Sequence, residues 1–293
     1  MTCARRIYAL LLWALSCSAI GSGQAVTFKD DVKLVEVYAT VFDHGGHAVD
    51  GLTRDQFEIR DDGTPQPIQI FEATHDALSC ALLLDTTGSM VAAMPELKNA
   101  ARDFIGALRP NDAVAVYAFA ERLDQLQEMT TDRAASRRAL VRLRASGRTA
   151  LFDAISQLAL ELEKRPGKKV IVVLTDGGDN ASVLNREAAA ARAQKAGVPV
   201  FAVAEGDALR DSAAAGLLRQ LAESTGGHMY KANHPKEIET IFQAIARDLQ
   251  NGYLLAFQPG MQQRAAPWHQ LQIVVKNSEK SVQVRARTGY PGE

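Results

Sequence analysis

The sequence has little of three features that often reveal a protein's class: cysteine, aromatic residues and charge of one sign. Three of the 293 residues are cysteine, 6% are aromatic, and the formal net charge is −1. A charge-balanced chain with few aromatic side chains lacks the basic patch and the stacking platform of a nucleic-acid-binding protein. The composition therefore predicts a globular protein that does not bind nucleic acid.

Sequence signatures of the common enzyme classes are also absent. There is no Gly-x-Ser-x-Gly turn, no phosphate-binding loop and no zinc-binding helix motif. The six histidines are scattered, and we interpret His44 and His47, which lie in one turn, as solvent-exposed residues. We therefore expect no catalytic residues.

The N-terminus is typical of an exported protein. Arg5 and Arg6 precede an apolar run, Ile7–Leu15, which is too short to span a bilayer, and small residues follow as far as Ala25. This pattern predicts a signal peptide at residues 1–25, with no transmembrane segment after cleavage. The alternatives are an uncleaved anchor and a lipoprotein modified at Cys17, before which the residues form a poor lipidation motif.

Cleavage would leave Cys80 as the only cysteine, so the mature chain could form no internal disulfide. We expect Cys80 to be a buried, unreactive thiol. The predicted location is the periplasm, the cell envelope or the medium.

Short β-strands are predicted at both ends of the mature chain. In residues 26–76 the expected strands are Val32–Phe42, Ala48–Leu52, Phe57–Arg60 and Ile68–Glu72, with a turn at residues 61–65. In residues 251–293 they are Gly252–Phe257, Gln270–Lys276 and Ser281–Arg287. The economical interpretation is one small β-sandwich built from both flanks; two separate β pieces are the alternative.

Between these flanks, residues 77–250 alternate between strands and helices. The predicted strands are Ala81–Asp85, Ala113–Phe119, Gln125–Met129, Lys169–Thr175, Val198–Ala204 and His228–Lys231. The predicted helices are Ser89–Leu108, Asp132–Arg144, Ala150–Lys164, Asn185–Ala196, Ser212–Ser224 and Pro235–Leu249. Such alternation predicts an α/β fold: a doubly wound, mostly parallel sheet with helices on both faces.

Three turns of this α/β region are rich in oxygen ligands. They are Asp85-Thr86-Thr87-Gly88-Ser89, Ser146-Gly147-Arg148-Thr149, and Thr175-Asp176 with the residues up to Asn180. In the first turn Asp85, Thr87 and Ser89 alternate, so an extended backbone would point their oxygens the same way. Ligand sites of α/β sheets lie beyond the carboxyl ends of the strands. Ligands that are all oxygen favour a hard divalent cation such as Mg²⁺.

The pattern Asp85-x-Thr87-x-Ser89, followed by Thr149 and Asp176, resembles the metal-ion-dependent adhesion site of von Willebrand factor type A domains. The resemblance covers residues 77–250 and implies the Rossmann-like doubly wound fold. The flanks, with Val49–Phe57 and Val284–Tyr290, resemble secreted acidobacterial-type proteins that carry this domain between β segments. One departure is Thr87, where the family usually has serine.

The resemblance implies that Asp85, Thr87, Ser89, Thr149 and Asp176 are five metal-site residues. Two carboxylates would neutralise a divalent cation, and the neutral hydroxyls would complete its shell, some through water. Mg²⁺ is the expected ion, with Mn²⁺ and Ca²⁺ as alternatives. In this family an open coordination position holds a carboxylate of a partner protein, and the same is implied here.

The charged residues near the predicted metal-site residues have both structural and functional interpretations. We interpret Asp179 as a turn residue, and we leave open whether Asp153 supports the metal site. The basic run that ends at Arg148 is interpreted as a solvated helix face, with an anion-attracting rim as the alternative.

The function that these observations favour is an exported, non-enzymatic binding module that holds an Asp or Glu carboxylate of a protein ligand through the bound cation. One alternative is a scaffold of an envelope assembly in which the cation only stabilises the domain. The other is a metal-dependent hydrolase, which is disfavoured because the three turns contain no histidine that could act as a general base.

Overall fold

The computed structural model describes residues 34–73, 76–176, 178–260, 266–276 and 282–292. The predicted signal peptide lies outside the described residues and stays a prediction. Within the described ranges, no helix combines the length and the apolar character needed to cross a bilayer.

Strands make up three sheets. In chain order they are β1 (Val35–Phe42), β2 (Phe57–Asp61), β3 (Thr64–Gln66), β4 (Ile70–Ala73), β5 (Leu78–Asp85), β6 (Ala113–Phe119), β7 (Leu123–Thr130), β8 (Lys168–Thr175), β9 (Val200–Glu205), β10 (Met229–Ala232), β11 (Tyr253–Phe257), β12 (His269–Val275), β13 (Gln283–Arg285) and β14 (Gly289–Tyr290). The α-helices are α1 (Met94–Ala107), α2 (Arg133–Ala139), α3 (Leu151–Glu163), α4 (Arg186–Lys195), α5 (Asp207–Arg210), α6 (Ser212–Ser224) and α7 (Glu237–Gln250).

The largest sheet has the strand order β10-β9-β8-β5-β6-β7. Its strands run parallel except for β7, which pairs antiparallel with β6 at the edge. The apolar runs in β5 and β8 lie at its centre and are almost completely buried, as expected for parallel strands covered on both faces. The prediction of a doubly wound, mostly parallel sheet is confirmed.

Helices cover both faces of this sheet because successive side chains of a strand point in opposite directions. Leu82 and Leu84 of β5 lie in the same buried cluster as residues of α1 and α7, including Phe104 and Phe242. Leu83, which alternates with them, lies in the cluster formed with α3, α4 and α6. The sheet thus separates two hydrophobic cores.

The remaining strands form two four-stranded sheets, β13-β1-β11-β4 and β14-β12-β2-β3. In each sheet, strands from the N-terminal flank pair with strands from the C-terminal flank, as β1 does with β11 and β2 with β12. Both sheets contribute to one buried cluster that includes Val37, Ile59, Tyr253, Leu255 and Ile273. The prediction of one sandwich built from both flanks is confirmed, and the alternative of two separate β pieces is wrong.

Several element boundaries differ from those predicted. The expected strand Ala48–Leu52 is reduced to a single bridge between Phe42 and Ala48, because Gly51 turns the chain with a φ of +76°. The first predicted helix is interrupted: a 3₁₀ turn spans Gly88–Val91, and α1 begins at Met94, where Pro95 suits the first turn of a helix. The helix predicted at Asp132–Arg144 is shorter than expected: α2 ends at Ala139, and a 3₁₀ turn follows at Leu140–Arg142.

Candidate metal centre

Two of the three oxygen-rich turns follow the central strands β5 and β8 of the large sheet, and the third lies in the loop before α3. From β5 the chain continues to β6 on one side, and β8 later joins β5 on its other side. The strand order therefore reverses between β5 and β8, and such a switch point is where open α/β sheets bind ligands. Asp85 ends β5, and Asp176 follows directly after β8.

Asp85 is fully buried, and both of its carboxylate oxygens accept hydrogen bonds. The backbone N–H of Thr87 donates to Oδ1 over 2.8 Å, and the Thr175 hydroxyl donates to Oδ2 over 2.6 Å. A carboxylate oxygen can accept more than one such interaction. The two donors therefore orient Asp85 and leave it with capacity for a cation.

A row of hydroxyls connects the turn after β5 to the turn after β8. The Ser89 hydroxyl donates to Oδ1 of Asp176 over 2.9 Å, and Thr87 Oγ1 lies 3.1 Å from Ser89 Oγ. Side-chain oxygens of Thr87, Ser89 and Asp176 thus form one contiguous group, and the backbone of Thr87 joins it to Asp85.

Thr149 lies in the loop packed against the first turn. The N–H of Gly88 donates to the carbonyl of Gly147 over 3.3 Å, and the N–H of Ser146 donates to the carbonyl of Thr86 over 2.6 Å. Thr149 is buried, and its N–H donates to Oδ1 of Asn180 over 3.0 Å. The structure therefore places all five predicted residues in adjoining turns, with direct side-chain contacts among Thr87, Ser89 and Asp176.

The electrostatics of this group favour a cation. Burial, together with the negative charge of Asp176, raises the pKa of Asp85 to about 6. The hydrogen bonds from Thr175 and Thr87 act in the opposite direction but are outweighed. An ionised carboxylate that is buried beside another carboxylate is unfavourable without a positive partner. Two carboxylates and several hydroxyls form a donor set that fits Mg²⁺ and similar hard ions.

Sequence reasoning overlooked the roles of Thr175 and Asn180. The Thr175 hydroxyl orients Asp85, and the Asn180 side chain accepts from the backbone of Thr149. The sequence contains a signal for the role of Thr175 in orienting Asp85. Thr175 is a polar residue at the end of a strand whose preceding residues, Val170–Leu174, are all apolar. Asn180 offered no comparable signal, because it lies 31 residues from its partner.

Asp153 and Asp179 join α3 to the loop after β8. Asp153 accepts from the N–H groups of Val183 and Leu184, each over 2.9 Å, and Asp179 accepts from the N–H of Phe152 over 2.9 Å. The interpretation of Asp179 as a turn residue fits its further bonds to Ser182. Both aspartates hold the loop that carries Asp176 and Asn180 against the helix that follows Thr149.

Arg148 lies beside the same loop, where its guanidinium donates to the carbonyl of Asn180. Its side chain is exposed, so its charge is available at the rim of the candidate metal centre. This position is compatible with the anion-attracting interpretation, which stays a prediction.

The fold and the arrangement of turns agree with a comparison of the sequence to protein families. The model of the von Willebrand factor type A domain matches residues 80–178, a range that contains all five predicted metal-site residues. The chain contains a von Willebrand factor type A domain. Comparison with curated proteins gives no significant match.

Solved structures with the same fold come from diverse sources. A von Willebrand factor type A protein from Catenulispora acidiphila aligns with 90% of this chain and 76% of its own, at 13% identity and a TM-score of 0.53. The von Willebrand factor domain of the type V pili tip protein Mfa5 from Porphyromonas gingivalis aligns with 60% of this chain and 95% of its own, at 13% identity and a TM-score of 0.51.

A third similar structure is proximal thread matrix protein 1 from the mussel byssus, which was solved with a zinc-occupied metal-ion-dependent adhesion site. It shares 19% identity over 64% of this chain and 49% of its own, with a TM-score of 0.53. At these identities the three structures establish the fold alone. The assignment of this chain to an acidobacterial-type subgroup stays a prediction.

Proposed function

We propose that this protein is an exported binding module whose von Willebrand factor type A domain holds one divalent cation, with Mg²⁺ as the expected ion. Asp85, Thr87, Ser89, Thr149 and Asp176 would hold it, directly or through water. The bound cation would supply a positive Lewis-acidic centre that attracts an anionic group from outside. The proposed ligand is an Asp or Glu carboxylate of a partner protein.

The observation that carries this proposal is the hydroxyl row between the two central strands. Ser89 bonds to Asp176 over 2.9 Å and contacts Thr87 over 3.1 Å, so oxygens from turns 87 residues apart in sequence meet at one place. The buried position of Asp85 supports the same conclusion, since a cation would offset the cost of keeping its carboxylate ionised.

Location outside the cytoplasm is part of the proposal and rests on residues 1–25. The similar pilus tip domain is compatible with an extracellular setting. The partner's identity is left to experiment, because the geometry specifies only the charge and the chemical group that the cation would attract.

The first test measures cation binding directly. Isothermal titration with Mg²⁺ and Mn²⁺ should show equimolar binding to the wild type and at least a tenfold loss of affinity in Asp85→Ala and Ser89→Ala. Asp103→Ala is the matched control, because Asp103 is an exposed aspartate of α1 and should leave binding unchanged. Equal affinity in all variants would contradict the proposed site.

The second test separates ligand binding from stabilisation. Affinity capture from envelope extracts should recover a partner with Mg²⁺ but not with EDTA, and not with Asp85→Ala under either condition. If EDTA lowers the melting temperature while the captured partners stay the same, the scaffold function is correct instead. EDTA-sensitive turnover of phosphoesters or peptides would establish the hydrolase.

A further inference from the structure

A second group of potential metal ligands lies in the β-sandwich, on different strands from the candidate metal centre. It consists of Asp61 at the end of β2, Asp62 in the following turn, and His269 at the start of β12. We call this group the sandwich cluster. Asp61 and His269 are buried, whereas 45% of the Asp62 side chain is exposed.

The distances within the sandwich cluster suit a small cation. Nδ1 of His269 lies 2.7 Å from Oδ2 of Asp62 and 3.8 Å from Oδ1 of Asp61. In a tetrahedral zinc site with ligand bonds of about 2.0–2.1 Å, neighbouring ligand atoms are separated by about 3.3 Å. The two observed distances lie on either side of that value, and all three ligand atoms lie within 4.8 Å of one another. Side-chain adjustments without a change of backbone would bring them to the spacing of a metal site.

One oxygen of Asp61 lacks a hydrogen-bond partner within the part of the chain that the structure describes. The Tyr290 hydroxyl donates to Oδ2 of Asp61 over 2.7 Å, but Oδ1 is buried and accepts no hydrogen bond. Its neighbour His269 Nδ1 lies 3.8 Å away, beyond hydrogen-bond distance. A buried polar atom without a hydrogen-bond partner is costly, and binding of a metal ion is one way to offset that cost.

Charge also favours a divalent cation at this place. The sandwich cluster brings two carboxylates and one imidazole together. The carboxylate of Asp61 is fully buried, and a buried carboxylate needs a positive partner, which a divalent ion would supply.

The local sequence fixes the backbone of the sandwich cluster before any ion binds. Asp62 and Gly63 have φ values of +49° and +79° and form a two-residue hairpin between β2 and β3, as the Asp-Gly pair favours. This turn directs Asp62 back to β12, where its Oδ1 accepts from the N–H of Gln270 over 2.8 Å. Asp61 and Asp62 are therefore positioned by the hairpin. His269 is positioned by its pairing with Tyr290 of β14 and by the pairing of β12 with β2, which begins two residues later at Leu271.

We propose that Asp61, Asp62 and His269 bind one divalent transition-metal ion of the zinc class, at a site independent of the candidate metal centre. A mixed imidazole and carboxylate donor set suits Zn²⁺ and Co²⁺ better than Mg²⁺. The exposed part of Asp62 gives the ion access from solvent. The ion joins β2 of the N-terminal flank to β12 of the C-terminal flank, which are neighbouring strands of one sheet of the sandwich.

The other ring nitrogen limits the expected affinity. Nε2 of His269 is buried, and it has no hydrogen-bond partner among the described residues. A metal-binding histidine usually donates its second N–H to an acceptor, and loss of that acceptor weakens metal binding by about 10- to 100-fold. We therefore expect moderate affinity, sufficient for equimolar loading in a titration.

The test uses the full mature chain carrying Asp85→Ala, so that the candidate metal centre does not contribute to the signal. Titration with Co²⁺ should give visible absorption that reaches a plateau at an equimolar ratio, and Zn²⁺ should abolish it by displacement. Adding Asp62→Ala or His269→Gln should reduce the affinity for Co²⁺ by at least tenfold. Asp62→Ala is the safer variant for folding, because Asp62 is partly exposed.

His47→Ala is the matched control, since His47 lies beside Asp43 at an exposed turn where ions could bind adventitiously. In the same Asp85→Ala background this substitution should leave the Co²⁺ spectrum unchanged. The proposal is overturned if the Asp85→Ala chain gives no equimolar Co²⁺ spectrum, or if Asp62→Ala and His269→Gln bind Co²⁺ as that chain does. The sandwich cluster would then be a metal-free group of ion pairs. Neither result depends on Mg²⁺ binding at the candidate metal centre.

Discussion

At the scale of single residues, Asp85 is the buried carboxylate of the candidate metal centre, and the Thr87 N–H and the Thr175 hydroxyl orient it. Asp85, Thr87 and Ser89 share one turn, and their alternation indicated oxygens on one side. Thr175 was overlooked as an orienting residue although it donates to Asp85 over 2.6 Å. That contact depends on the pairing of β5 with β8, which no local pattern specifies.

Asp85→Asn should change how stability depends on pH. In the wild type without metal, burial raises the pKa of Asp85 from an ordinary value of 3.8 to about 6. Ionisation then disfavours the folded state, so the stability contribution is present at low pH and is lost as pH rises from about 4 to above 6. The variant cannot ionise, and its free energy of unfolding relative to the wild type should rise by about 3 kcal/mol over this interval.

Urea denaturation in EDTA at several pH values measures this difference, with Asp103→Asn as an exposed control that should show none. Saturating Mg²⁺ should reverse the order of stability above about pH 6, because the cation binds only the ionised carboxylate. A wild-type-to-variant difference that stays constant with pH would contradict the assignment of a raised pKa to Asp85.

At the scale of secondary-structure elements, α3 and the loop after β8 hold each other. Asp153 on α3 accepts two backbone N–H groups of the loop, and Asp179 of the loop accepts the N–H of Phe152 on α3. The sequence left the role of Asp153 open, because its partners, Val183 and Leu184, are 30 and 31 residues away. The structure assigns it a positioning contact beside the candidate metal centre.

Asp153→Ala should loosen this loop and weaken cation binding. Removing an acceptor of two partly exposed N–H groups should lower the free energy of unfolding by about 1–2 kcal/mol. If about 1 kcal/mol of loop order is lost before the cation binds, affinity for Mg²⁺ should fall about fivefold. Chemical denaturation and isothermal titration measure the two effects.

Asp132→Ala is the matched control for this substitution. Asp132 also accepts two backbone N–H groups, those of Ala134 and Ala135, but at the start of α2. We expect a similar loss of stability in this variant with unchanged affinity for Mg²⁺. If both variants bind Mg²⁺ as the wild type does, Asp153 serves only the stability of the fold.

At the scale of the whole molecule, the sandwich packs against the α/β region through the segment between β13 and β14. The N–H of Thr288 donates to the carbonyl of Ser224 over 3.1 Å, and Arg287 donates to the carbonyl of Gln194 over 3.0 Å. Gly226 makes this approach feasible: a Cβ atom there would lie 2.5 Å from the backbone nitrogen of Arg287.

Gly226→Ala should therefore destabilise the whole chain. The substitution places a Cβ atom against backbone and puts alanine at a φ of +88°, so we expect a loss of about 2 kcal/mol or more. Gly216→Ala is the matched control within α6, where an added Cβ meets no atom within 4 Å. It should raise stability by about 0.5–1 kcal/mol.

Thermal and urea unfolding of the two variants test this pair of opposite effects. If Gly226→Ala is as stable as the wild type, the close contact between residue 226 and the segment before β14 does not exist in solution. The domain boundaries predicted at residues 76 and 250 stay predictions. These experiments test the contact between Gly226 and the segment before β14, and they do not test whether each domain folds by itself.

Several features of this protein are encoded by residues that are neighbours in the chain. These are the alternation of strands and helices, the apolar central strands, the turns, and the Asp85-x-Thr87-x-Ser89 pattern with its expected chemistry. Local periodicity and turn composition specify such features because they depend on only a few adjacent side chains.

Contacts between groups that are distant in the chain depend on the tertiary structure. It brought Ser89 to Asp176, replaced the predicted strand at Ala48–Leu52 with a single bridge, and placed Asp62 beside His269 across 207 residues of chain. Strand order and register produce these contacts, and both depend on the packing of whole sheets rather than on the residues next to each side chain.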